Sequence, residues 1–252
     1  MDISYRALVK LKWEGAILAK KELSSEQKRL DIDLWIIVSV SLLVLGAYIA
    51  FQNPITTFTL NREQNILLRV LLAAVFQFGL AGLGISIVSI VRNECFLAYG
   101  LRKKGAITSI VLSILCFIPY TILTFATGQF AGYLPFQSVW TTKDVLANGF
   151  PINAIGILIT AIAWGFFEGF NYVVISEKIN KRYPSKNKWL NWGAIICAVL
   201  CILIHGAVGV TMESILQMLT IIIIIYGMLM TKELTGNAWG CIFIFVFLWN
   251  AF

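Results

Sequence analysis

Uninterrupted apolar blocks of roughly 16 to 26 residues recur along this chain, the length needed to cross a hydrocarbon core about 30 Å thick. A soluble domain breaks such blocks with surface charge every turn or two, and this chain does not. Only 13% of its 252 residues are charged and 59% are hydrophobic, with a mean hydropathy of +0.82, whereas a soluble domain carries about 25% charged residues. The spans are helices, because lipid cannot satisfy an open sheet edge and the alternation of an outer-membrane barrel is missing. The fold class is therefore an all-α, polytopic transmembrane helix bundle.

Seven spans are expected: Leu34–Phe51, Ile66–Val91, Ala106–Gly128, Ile152–Ile175, Trp189–Val210, Ser214–Met230 and Asn237–Phe252. The segment Gln129–Phe150, with Gly132, Pro135, Trp140, Lys143 and Gly149, reads as an outer loop that dips back toward the membrane. An eighth, short or re-entrant element there is the alternative. Residues 1–33 form a cytoplasmic or interfacial segment and residues 34–252 the bundle. Ile3, Leu8, Leu11, Ile17 and Leu18, set among lysines with Trp13, fit either an amphipathic helix on the inner leaflet or a solvated one. The same segment mixes acids and bases and lacks the apolar stretch of a cleavable signal peptide.

Orientation follows from Lys and Arg. The segment before the first span and the loops after the second, fourth and sixth carry seventeen of them; the alternate loops carry only Arg62 and Lys143. The N-terminus is expected in the cytoplasm. The formal charge of +7 is thus spread over cytoplasmic loops, a topology signal and not a nucleic-acid footprint. No Gly-rich phosphate loop or internal repeat is present, so no cofactor is implied. Gly79, Gly82 and Gly84 read as close helix packing.

Cys197, Cys201 and His205 share one helix face by their i, i+4, i+8 spacing. A metal would need a fourth ligand, and a Cys201–His205 nucleophile pair would need an orienting acid; neither is evident. The informative residues are Glu168, the one acid deep within an apolar span, and His205, the only histidine, in the next span. A charge near the bilayer centre costs roughly 2.5 kcal/mol or more, so both read as functional, with each other as partner.

Three stretches then resemble, in order and on successive helices, the motif regions of the CAAX protease and bacteriocin-processing (Abi) family of intramembrane proteases. They are WGFFEGFNYVV (Trp164–Val174), CILIHG (Cys201–Gly206) and TGNAWGCIFIFVFLWNAF (Thr235–Phe252). The family motifs read EExxxR, FxxxH and HxxxN or HxxxD, and the resemblance covers roughly the C-terminal half, residues 152–252. Aligned this way, Glu168 is the first Glu, Gly169 replaces the second and Val173 the Arg. His205 is retained with Cys201 in place of the Phe, and Asn250 is retained with Val246 in place of the His.

What the resemblance implies is a glutamate-dependent endopeptidase acting on a membrane-associated or prenylated peptide, in the plasma membrane of a prokaryote. Glu168 would be the general base, His205 would hold the water or shuttle its proton, and Asn250 would donate to the oxyanion. Glu168 lies about 15 Å in from Lys178 and His205 about 25 Å in from Lys188 at ~1.5 Å per residue. The two meet only if the fifth span starts deeper, or if the helices tilt or shift. Two other readings stand beside this one: a catalytically silent relative that binds a membrane partner, as in bacteriocin immunity, and a transporter or permease subunit using Glu168 and His205 as a proton relay. The partners expected are the bilayer and a membrane peptide or protein, with no nucleic acid and the oligomeric state left open.

Overall fold

The computed structural model describes residues 23–206 and 208–252, and their regular secondary structure is helical, with no strand among them. Five helices are long and apolar enough to cross a membrane: α1 (Ser25–Ala50), α3 (Ile66–Arg92), α4 (Ala106–Ala126), α6 (Ile152–Arg182) and α8 (Met212–Thr235). Between them lie α2 (Gln52–Leu60) and α5 (Thr142–Leu146), and two short apolar helices, α7 (Trp192–Ile204) and α9 (Trp239–Trp249), complete the set. The integral-membrane class holds, and among the described residues five of the seven expected spans are helices of membrane-crossing length. At ~1.5 Å per residue, the 13 residues of α7 cover about 20 Å, short of a hydrocarbon core of about 30 Å.

Local chemistry sets these limits. α1 begins at Ser25 and not at Leu34, because Ser24 and Gln27 form a reciprocal capping box. The amphipathic segment expected ahead of it falls mostly on residues 1–22, outside the described residues. Asn191 starts α7 by accepting the Ala194 N–H at 2.8 Å. Gly206, at φ +62°, stops it, since a left-handed residue just past the last turn closes a helix. The apolar run to Val210 continues, but the helix does not.

The core lies where α3, α4, α6, α8 and α9 converge, around Ile85, Phe117, Phe170, Ile224, Met228 and Phe245, all fully buried. Leu42, Leu43, Ile107 and Ile204 point outward from the bundle, as lipid-facing side chains do. The segment between α4 and α6 turns back into the fold: Leu134 N–H donates to the Ala251 carbonyl at 3.1 Å and Ser138 N–H to that of Asn250 at 3.2 Å. Its one helix is α5.

Ionic groups mark the two ends. At one, Asp33 on α1 is fully buried and binds Arg92 at 2.7 Å and Lys178 at 2.9 Å. Lys178 also reaches Glu94 at 2.9 Å, and Tyr99 donates its hydroxyl to the same carboxylate. Arg182 pairs with Asp31, and Lys232 with Glu177. At the other end, Arg69 and Arg62 both pair with Asp144. These are the Lys178 end and the Asp144 end below.

Candidate active site

α6 and α7 run antiparallel from the Lys178 end, and their register decides whether Glu168 meets His205. Asn180 sets it, donating to the Asn191 side chain at 2.8 Å and accepting the Gly193 N–H at 2.8 Å. Any side chain at Gly193 would collide with the backbone of Ser176. Twelve residues then separate Asn180 from Glu168 and fourteen separate Asn191 from His205, a mismatch of about 3 Å at ~1.5 Å per residue. Depth counted from Lys188 had put the two residues at different levels. α7 starts level with Asn180 instead, beyond a loop that adds no depth.

The pair therefore meets: Glu168 Oε1 lies 3.4 Å from His205 Nε2. The other carboxylate oxygen, Oε2, accepts a hydrogen bond from the Gln77 amide at 2.9 Å. His205 Nδ1 lies 2.9 Å from the Cys201 carbonyl. A carbonyl only accepts, so Nδ1 carries a proton. The remaining exchangeable proton then lies between Nε2 and Glu168, as an imidazolium facing a carboxylate or an imidazole facing a carboxylic acid. The Glu168 side chain is 10% exposed and that of His205 35%, so the histidine is the more open member of the pair.

Asn250 occupies a different position. Trp249, just before it, packs its indole edge-on to the His205 ring with centroids 5.4 Å apart. The Asn250 side chain instead binds Ser138, whose hydroxyl donates to Oδ1 at 2.8 Å. Its Nδ2 is buried with no hydrogen-bond partner among the described residues. A buried amide donor left unpaired costs free energy and is available to an acceptor that enters.

Three of these polar residues, Gln77, Glu168 and Asn250, lie at or within two residues of a π-helical turn. Gln77 precedes the turn Gly79–Leu83, Glu168 follows Ala161–Phe167, and Asn250 follows Ile244–Trp249. Such turns insert one extra residue into a helix and are frequent at functional sites. They also touch one another. Gly165 faces Val246, Gly82 faces Phe167, and the Phe78 and Phe167 rings meet edge-to-face at 4.7 Å.

The positions that depart from the family motifs are filled by packing. A Cβ at Gly169 would stand 3.0 Å from the Cys241 carbonyl and 3.3 Å from Ile242 Cα, so α6 and α9 leave no room for a second Glu. Val173 is fully buried. Val246 lies against Gly165.

Gln77 was missed from the sequence, although a lone amide in an apolar span is a polar residue that needs a partner. Ser138 carries no comparable signal, because its partner lies 112 positions away. Comparison with protein-family models, curated proteins and solved structures finds no match to this chain.

Proposed function

We propose that this chain is an intramembrane hydrolase of the CAAX-protease and bacteriocin-processing type, cutting a membrane-associated peptide. The observation that carries the reading is the direct approach of Glu168 to His205 inside an apolar bundle, with the histidine tautomer fixed by the Cys201 carbonyl. Glu168 in its carboxylate form takes a proton from water, and the resulting hydroxide attacks the peptide carbonyl. His205, starting as the imidazolium, delivers its Nε2 proton to the departing amine, and the proton that Glu168 took from water then passes to Nε2 and restores the starting state. Gln77 holds the Glu168 carboxylate in place. The unpaired Asn250 amide supplies a donor for the tetrahedral oxyanion. The lysine- and arginine-rich Lys178 end faces the cytoplasm, and Asp144 the outside.

The packing of Gly169, Val173 and Val246 favours a second reading, a silent relative that binds its partner without cutting it. One experiment separates the two. Peptide termini are compared by mass spectrometry in membranes of cells expressing wild-type protein or Glu168→Gln at equal level. Termini present with wild type and absent with Glu168→Gln support the hydrolase. Identical termini, with the cellular phenotype retained in Glu168→Gln, would leave only the binding reading.

A further inference from the structure

A second polar site, independent of the hydrolase reading, lies at the Asp144 end. A cleft of about 410 Å³ opens there, lined by Arg62, Gln64, Asn65, Arg69, Asp144 and Asn148 among others. Both arginines converge on one carboxylate: Arg69 reaches Asp144 Oδ2 at 2.7 Å and Arg62 reaches Oδ1 at 3.3 Å. The two oxygens of Asp144 are thus both engaged, and among the described residues that line the cleft the charges sum to one positive. The Arg62 side chain is 83% exposed while that of Arg69 is 4% exposed, so one guanidinium is free to turn toward a ligand and the other is anchored. The anchor is firm, because Arg69 Nε also donates to the Thr59 carbonyl at 2.7 Å.

The remaining surroundings add to the positive potential. The first residues of α3 and α6, Ile66 and Ile152, both line the cleft, and the positive ends of two long helices favour an anion. Among neighbouring charged residues, Glu63 and Lys143 flank Arg62 and Asp144 in the chain with opposite signs and do not line the cleft. Ile152, which lines the cleft, is exposed, as are Leu68, Leu146 and Phe150 within two residues of lining residues in the chain, which puts apolar surface next to a cationic one.

We infer that this cleft binds the phosphate of an anionic phospholipid headgroup, with Arg62 and Arg69 as its cationic contacts and the acyl chains lying along the exposed α3 and α6 surfaces. Guanidinium groups suit phosphate because they offer paired N–H donors in a plane. The full-length protein, purified in a neutral detergent, is tested by native mass spectrometry and thermal unfolding. Phosphatidylglycerol, phosphatidylcholine and inorganic phosphate are added in separate arms. The expected result is one phosphatidylglycerol retained and a raised unfolding temperature, with neither effect from phosphatidylcholine. Arg62 and Gln64 are both exposed; Arg62→Ala removes one charge-assisted contact and Gln64→Glu sets a carboxylate beside the phosphate, and each should weaken phosphatidylglycerol about tenfold. Equal retention of both lipids, or binding unchanged in both variants, overturns the proposal. Equal stabilisation by inorganic phosphate overturns the lipid as the source.

Discussion

Asp33 and Glu168 are both acids buried in the same bundle, and their surroundings differ in kind. Asp33 has two cationic partners, one per oxygen, and the lysine it shares with Glu94 is itself buried. Every charge there has an opposite charge at hydrogen-bond distance. Glu168 has a neutral amide on one oxygen and a half-exposed histidine on the other, with an unpaired amide donor beyond Trp249. Saturated pairing fastens helices together. On the proposed function, the carboxylate with a titratable neighbour and a spare donor nearby exchanges protons. Burial alone therefore does not distinguish the two acids; the pairing of their neighbours does.

The comparison breaks most visibly through rate. Glu168→Gln should lower peptide cleavage by about a thousandfold or more while leaving the unfolding temperature near that of wild type, since general-base catalysis is worth roughly 10²–10⁴-fold and an amide satisfies the same partners. An unchanged cleavage rate in purified protein would erase the distinction between the two acids. Lys178→Met should do the reverse. It leaves one oxygen of the fully buried Asp33 without its cation and takes one of Glu94's partners, leaving Glu94 with Tyr99 and Arg29; losing one partner of a buried pair costs about 3–5 kcal/mol, and denaturation in detergent micelles should show it. Asn250→Ala should lower cleavage by about a hundredfold, as for the loss of one oxyanion donor. A loss as large as that of Glu168→Gln would instead give Asn250 a structural role.

The smallest effect is on pH. Burial pushes the Glu94 carboxyl up, but the Tyr99 hydroxyl, Lys178 and Arg29 outweigh it and hold it below the usual range. A lowered folded value contributes stability that is fully present above the ordinary carboxylate range and is lost as pH falls through the folded value. The unfolding temperature of wild type should therefore drop on acidification from about pH 7 to about pH 3, and Glu94→Gln should flatten that slope. A slope unchanged in the variant would assign acid sensitivity to other carboxylates.

Much of this was legible in the sequence, and the misses have physical causes. The apolar runs locate the five long apolar helices among the described residues but overstate two shorter ones, because hydropathy does not register where backbone geometry ends a helix. Gly206 carried that signal within the run. The Glu168–His205 pair was legible as two isolated ionisable residues in consecutive spans, but its level was not, since Asn180 and Asn191 set the register through side-chain contacts between helices. Lys178 read only as a marker of topology. Its partner Asp33 lies 145 positions away, and no local pattern announces a pairing at that separation.

The three π-helical turns have a consequence of their own. Each changes the angular phase of its helix, so the residues before and after it obey two different rotational settings. Removing one residue from Ala161–Phe167 would restore an unbroken α-helix and swing everything on one side by about 100°, one residue's rotation at 3.6 per turn. Glu168 would then either leave His205 or take the whole Lys178 end out of alignment. Chain length in these turns is thus as much a part of the site as side-chain identity. A single-residue deletion scan across Ala161–Phe167 should inactivate the protein at every position, including those where alanine substitution is silent.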